Sequence, residues 1–273
     1  MSKTDPADGL ILDEVGHWAA EKHARLRRYI DIAHGVRRKF ATGPSRTASY
    51  IDLYCGAGRA RVRDTAEIID GSPLVAYRSA AASDDPFTEI HLADADESRL
   101  KAAAARIVAA GGSAMTYLGR AENVAKAITQ RLNRHGLHFA FLDPYNLADL
   151  PFSVLAELAA FTHMDMLVHV SAQDLKRNLR RYMEATSSPL DAFAPGWRDV
   201  IDPREQDRTI RQRVLQHWLS RIRQLDMAPS EGIEMVTADK NQELYWLVFI
   251  ARHPRAGEFW DKIRNPSLQG RLF

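Results

Sequence analysis

Two short stretches hold residue types that could do chemistry. The first is Tyr50-Ile51-Asp52-Leu53-Tyr54-Cys55-Gly56-Ala57-Gly58-Arg59. It reads as a buried strand running into a glycine-rich turn, with Ile51 and Leu53 apolar and aromatic neighbours that suit a pleated surface. Gly56 and Gly58 allow positive φ and let a ligand approach the backbone. Asp52 precedes them at the carboxyl end of the strand, where open α/β sheets bind ligands. The third glycine of the dinucleotide fingerprint and the Lys-Ser/Thr of a phosphate loop are both absent. The second stretch is Asp143-Pro144-Tyr145, after the apolar run 138–142. It puts a carboxylate, a carbonyl and a ring side by side, although Asp-Pro also simply turns a chain.

The elements around these stretches give them positions. Residues 1–12 read as a loose arm. Asp13 to Phe40 reads as one or two helices with Trp18, Leu26, Ile30 and Ile32 towards a core. Arg59 to Asp70 suggests a short hairpin inserted after the glycine turn. Ser72 is the expected N-cap of a helix over 74–82, with Pro73 its first residue. Strands follow at 88–93, 114–118, 138–142 and 166–170, and helices at 98–110, 124–132 and 152–161. This repeated strand–helix alternation argues for a parallel sheet covered on both faces. Residues 171–225 lack a strand pattern and read as helices. Ile233–Thr237 and Leu244–Ala251 read as a hairpin about the polar turn 238–242, and a last helix is expected over 257–263.

In that frame four strand ends share one rim. Asp94 or Asp96, after the second strand, could accept both hydroxyls of a ribose. Ala121-Glu122, after the third, would border an adenine. Each carboxylate taken singly could instead cap a helix, Asp96 and Glu122 most readily.

The chain has 273 residues, 45% hydrophobic and 26% charged, with a net charge of +2. That suits a globular protein and does not by itself argue for nucleic acid. The charge is unevenly spread. One basic stripe holds Lys22, Arg25, Arg27, Arg28, Arg37, Arg38 and Lys39, and a second holds Lys176, Arg177, Arg180, Arg181 and further arginines to Arg223. The first reads equally as a solvated helical face or as a phosphate-contacting surface, and the second as part of a helical insertion that could flank the cleft with it. The lone Cys55 rules out an internal disulfide framework and a cysteine-based zinc site, and fits a reducing cytoplasm. No apolar run reaches the roughly 18 residues that a membrane helix needs, and no signal-peptide pattern is expected at the N-terminus.

The glycine-turn stretch resembles motif I of the S-adenosylmethionine-dependent methyltransferases, and five βα units closed by a hairpin resemble their class I architecture. The resemblance implies an α/β fold: a Rossmann-like, mostly parallel sheet with an antiparallel last strand, helices on both faces and a helical insertion before the C-terminal hairpin. Asp143-Pro144-Tyr145 resembles motif IV of the enzymes that methylate base nitrogens, with one proline missing. In that motif a carboxylate and a carbonyl accept hydrogen bonds from an amino group and leave its lone pair free, while a ring stacks on the base. Positioning then supplies most of the catalysis, because a sulfonium methyl is already a good electrophile.

Lys22…Tyr29, Tyr50–Gly58, Asp70-Gly71-Ser72-Pro73-Leu74, Phe141–Tyr145 and Tyr245–Pro254 together resemble the three-Cys-motif partner proteins. Family members often have Phe-Ala-Gly-Pro-Gly where this chain has 54–58, and Asp-Pro-Phe-Gly where it has 143–146. This resemblance implies a methyltransferase-like fold and frequent company with a cysteine-motif protein, without fixing a reaction.

The expected cofactor is S-adenosylmethionine, held by Asp52, Tyr54, Gly56, Gly58, Asp94, Asp96, Ala121 and Glu122. Asp143, Pro144 and Tyr145 are the expected catalytic residues, with Arg59, Ser72, Lys176 and Arg177 on the substrate side. The expected organisation is a basic helical segment at 1–40, an α/β domain at 41–171 and 226–273, and a helical insertion at 172–225. Methyl transfer to a nucleic acid base nitrogen leads. The rivals are a cofactor-binding partner subunit of the cysteine-motif protein and a small-molecule methyltransferase. Cys55 could be the nucleophile of a pyrimidine-carbon methyltransferase, but those enzymes place it after the fourth strand, so it is read as packing under the turn. His163 and His169 are read as structural.

Overall fold

A computed structural model describes residues 4–238 and 242–264. The elements run β1 (Asp13–Val15), α1 (Trp18–Ile32), α2 (His34–Thr42), β2 (Ala48–Asp52), β3 (Arg59–Val62), β4 (Ile68–Asp70), α3 (Ser72–Ala82), β5 (Glu89–Asp94), α4 (Glu97–Ala109) and β6 (Met115–Leu118). They continue with α5 (Ala121–Thr129), β7 (Leu137–Leu142), α6 (Phe152–Leu158), β8 (Met164–Val170), α7 (Ala172–Glu184), α8 (Pro189–Phe193), α9 (Asp207–Arg223), β9 (Ala228–Pro229), β10 (Glu234–Ala238), β11 (Gln242–Ala251) and α10 (Pro254–Arg264). The tip of the C-terminal hairpin, at 239–241, lies outside the described residues.

Alternation along the strands explains the layering. Tyr50, Phe139, Phe141, Leu167, Leu247 and Phe249 enter one core with Leu26, Leu74 and Trp260. Their neighbours Ile51, Ala140, Leu142, Met166, Val168, Val248 and Ile250 enter the other, with Val124, Leu155, Leu179 and Trp218. Strands apolar on both faces must be covered on both, which is the parallel-sheet arrangement. The main sheet has the order β10-β11-β8-β7-β2-β5-β6, with β9 added on β11. Only β11 opposes its neighbours β8 and β10 among otherwise parallel strands. This is the Rossmann-like class I methyltransferase fold that the sequence pattern implied. The chain leaves β2 for β5 and β6 on one side and returns to β7 and β8 on the other, so the carboxyl ends of β2 and β7 form a crevice.

The helices between residues 172 and 223 share the core of the second face through Leu175, Leu179, Phe193, Trp197, Ile210, Val214 and Trp218. Four of their arginines are held in ion pairs: Arg180 with Asp207, Arg198 with Asp191, Arg211 with Glu243 and Arg213 with Glu205. Lys176 and Arg177 are exposed.

Three sequence readings change. Residues 4–12 are pinned rather than loose: Thr4 bridges to Ile11, and Asp5 is buried against Arg59 and Arg106. Helix α1 starts only at Trp18, because Asp13–Val15 is a strand pairing parallel to β3. Together with β4 they make a separate three-stranded sheet. Gly71, in extended conformation, precedes α3, so Ser72 lies inside its first turn and Pro73 follows. The first basic stripe is largely consumed by the fold as well. Arg37 is buried on the carbonyls of Ile30 and Asp85, Arg25 pairs with Glu234 and Arg38 with Asp85.

Candidate active site

A cleft of about 560 Å³ opens at the carboxyl edge of the sheet. Of the expected residues it is lined by Tyr54, Gly56, Asp94, Ala121, Glu122, Asp143, Pro144 and Tyr145. Asp52, Gly58, Arg59, Ser72, Asp96, Lys176 and Arg177 do not line it.

The glycine turn forms one end. Gly56 and Gly58 have φ of 57° and 80°, a region costly for residues with a Cβ. The Gly56 amide donates to Asp94 Oδ2 at 3.0 Å and the Ala57 amide to Asp13 Oδ2 at 2.6 Å. A Cβ on Gly56 would stand 2.4 Å from that Asp13 oxygen. A Cβ on Gly58 would stand 3.0 Å from the backbone of Ala103, so this glycine serves the packing of α4. Asp94 also accepts from the Asp96 amide at 2.8 Å. Arg99 reaches Asp13 at 3.1 Å.

Asp52 lies beneath the cleft rather than on its lining. It is fully buried, accepting from the Tyr50 hydroxyl at 3.0 Å and the Tyr54 amide at 3.2 Å. Burial raises its carboxyl to about pH 7 against hydrogen bonds from Ser72 and Tyr50. It holds the turn from beneath through the Tyr54 amide, and the Ser72 side chain donates to it there. Asp96 caps α4, accepting from the amides of Ser98 and Arg99 at 2.8 and 3.2 Å. Arg59 is taken by Asp5 and Asp70. Cys55 is buried in the core beside the turn, and burial raises its thiol well above its ordinary value.

The other end is built on Asp143. Lys22, reaching across from α1, donates to Asp143 Oδ2 at 2.5 Å. His169, at the end of β8, sets Nδ1 3.4 Å from Asp143 Oδ1 and 3.2 Å from the Pro144 carbonyl. Burial would raise the Asp143 carboxyl, but Lys22 and His169 outweigh it and hold it below the ordinary range. Burial lowers His169 to about 4. Tyr245 packs on the His169 ring at 4.3 Å, and Lys22 lies over the Tyr245 ring at 5.7 Å. Tyr145 projects from the rim with 91% of its surface exposed.

Sequence reasoning missed Asp13, Trp18, Lys22, His169 and Tyr245. His169 carried a signal in its place at a strand end on the shared rim, Lys22 stood in the first basic stripe, and Tyr245 opened the C-terminal stretch of resemblance. The lining also has a sign: Asp13, Glu14, Asp94, Glu122, Asp143 and Asp149 are six carboxylates against the three cations Lys22, Arg99 and Arg120.

No family model matches the chain, and no curated protein matches its sequence. Among solved structures, protein LPL1258 of Legionella pneumophila, a DUF519 protein, has a TM-score of 0.51 at 9% identity, over 89% of this chain and 92% of that one. The SAH-bound methyltransferase PaMTH1 of Podospora anserina has 0.40 at 12% identity, over 85% and 87%. A putative RNA methyltransferase of Pyrococcus horikoshii, PH1948, has 0.39 at 9%, over 82% and 81%. The first likeness shows a shared fold and no more, and the other two are too distant to add to it. The chain has the class I methyltransferase fold, and a polar cleft lies at the carboxyl edge of its sheet, the edge where open α/β sheets bind ligands.

Proposed function

We propose that the protein is an S-adenosylmethionine-dependent methyltransferase acting on a nitrogen of a nucleic acid base. One observation carries the reading: a single cleft joins the glycine turn and Asp94 to Asp143-Pro144-Tyr145. Its volume lies within the range of small-molecule sites. Gly56, Tyr54, Asp94 and the start of α5 would hold the cofactor, which supplies an electrophilic methyl on a positive sulfur. The six carboxylates favour that positive charge. Tyr145, exposed at the rim, offers the face on which an extruded base would stack.

A second reading has its own support. The same acidic lining, with six carboxylates against three cations, favours a small-molecule acceptor. A role as subunit of a cysteine-motif protein remains a proposal from the sequence resemblance.

The test is calorimetric titration of S-adenosylmethionine and S-adenosylhomocysteine, followed by tritiated-methyl transfer to pooled DNA and RNA. Micromolar binding with transfer to one pool is expected. Binding without transfer to either pool would move the acceptor to small molecules, and no binding would end the methyltransferase reading.

A further inference from the structure

The arrangement around Asp143 leaves one proton acceptor unassigned. The Pro144 carbonyl can only accept, so the His169 Nδ1 that faces it at 3.2 Å carries the hydrogen. In the neutral ring Nε2 then holds the lone pair. Nε2 makes no hydrogen bond among the described residues. The His169 side chain keeps 13% of its surface exposed. His169 borders the cleft directly beyond Asp143, since Leu142 pairs with Val168 in the β7–β8 register.

Asp143 is poorly suited to take a proton itself. Lys22 occupies Oδ2, and the pair favours the ionised carboxylate. The same carboxylate stands 3.4 Å from His169 Nδ1, where it would stabilise an imidazolium. The charged and titratable groups facing His169 are Asp143 after β7, Lys22 on α1 and Tyr245 on β11. A neutral base, a tautomer fixed by a carbonyl and a carboxylate behind it make the arrangement that activates acceptors in other enzymes.

We propose that His169 is the general base of the reaction, taking through Nε2 the proton that the acceptor nitrogen sheds as it is methylated. The assignment rests on the methyl-transfer reading. The acceptor nitrogen gives its lone pair to the new N–C bond, and the pair of the broken C–S bond stays on sulfur. The N–H proton passes to Nε2, so the positive charge that leaves sulfur ends on the imidazolium. Water takes that proton when product departs. Asp143 and Lys22 are positioning residues for this step.

Two measurements test it. Long-range ¹H–¹⁵N spectra of imidazole-labelled protein with S-adenosylhomocysteine, with His169 assigned by its loss in His169→Asn, should show Nδ1–H and a bare Nε2 at pH 7. The opposite tautomer, or an imidazolium at that pH, overturns the proposal whatever the acceptor is. In tritiated-methyl assays on the pools, His169→Asn can keep a donor for the Pro144 carbonyl while removing the base. Its kcat should fall about 100-fold, as loss of a general base does, with unchanged cofactor affinity and loss of the acid limb of the pH profile. Added imidazole should restore part of the rate. Wild-type kcat in the variant overturns the proposal and leaves the methyltransferase reading standing. A wild type that does not bind S-adenosylhomocysteine ends that reading instead.

Discussion

At the glycine-turn end of the cleft, the polar groups are backbone amides of Gly56 and Ala57, met by the side chains of Asp13 and Asp94. At the Asp143 end they are side chains drawn from α1, β8 and β11. The first end is shaped by glycine conformation. The second depends on an ion pair reaching 121 residues along the chain. Burying a charged pair is worthwhile only when both members are present. The two ends should therefore fail differently when they are perturbed.

The largest effect is expected at the Asp143 end. Lys22→Met removes the partner of a carboxylate that is 22% exposed. It should cost about 3 kcal/mol of stability at pH 7, the lower end of what breaking a buried pair costs. The sign of its pH dependence follows from Asp143. In the wild type its lowered pKa contributes stability above the ordinary carboxylate value, lost as pH falls through the folded pKa. Without Lys22 burial dominates and the folded pKa rises, so the variant's deficit should shrink between pH 7 and pH 5. Urea unfolding at the two pH values checks this, and an equal deficit at both would mean that the pair is not a coupled unit.

A smaller effect is expected at the glycine turn. Gly56→Ala must hold a Cβ at φ 57° and move the Asp13 carboxylate. A left-handed non-glycine residue costs about 1–2 kcal/mol. Calorimetry should show cofactor affinity falling about tenfold or more. Unchanged affinity would show that the turn does not touch the cofactor.

The smallest change in stability belongs to Tyr145→Ala. The side chain is almost wholly exposed, so unfolding should shift by less than about 0.5 kcal/mol. Transfer to a base should still fall about tenfold, since ring stacking contributes about 1–3 kcal/mol per base. Retained transfer would remove Tyr145 from the acceptor's contacts and sharpen the case for a small molecule.

The same contrast explains what could be read in advance. Apolar residues on both faces of short strands, interrupted by glycine turns, are local signals that burial imposes directly on sequence. They yielded the alternating strands and helices, the hairpin after the glycine turn and the rim on which Asp94, Glu122 and Asp143 lie. Chain-local chemistry could not tell Asp52, sealed by Tyr50 and Tyr54, from Asp94, which faces the cleft, because both stand at strand ends. Nor could it give Lys22 a partner from within a run of seven basic residues. That choice belongs to the tertiary structure: a lone charge is costly to bury, and only the folded chain brings α1 over the end of β7 to place Lys22 on Asp143. The sequence determined the sheet and the turn by itself; packing between distant elements decided which polar side chains meet in the cleft.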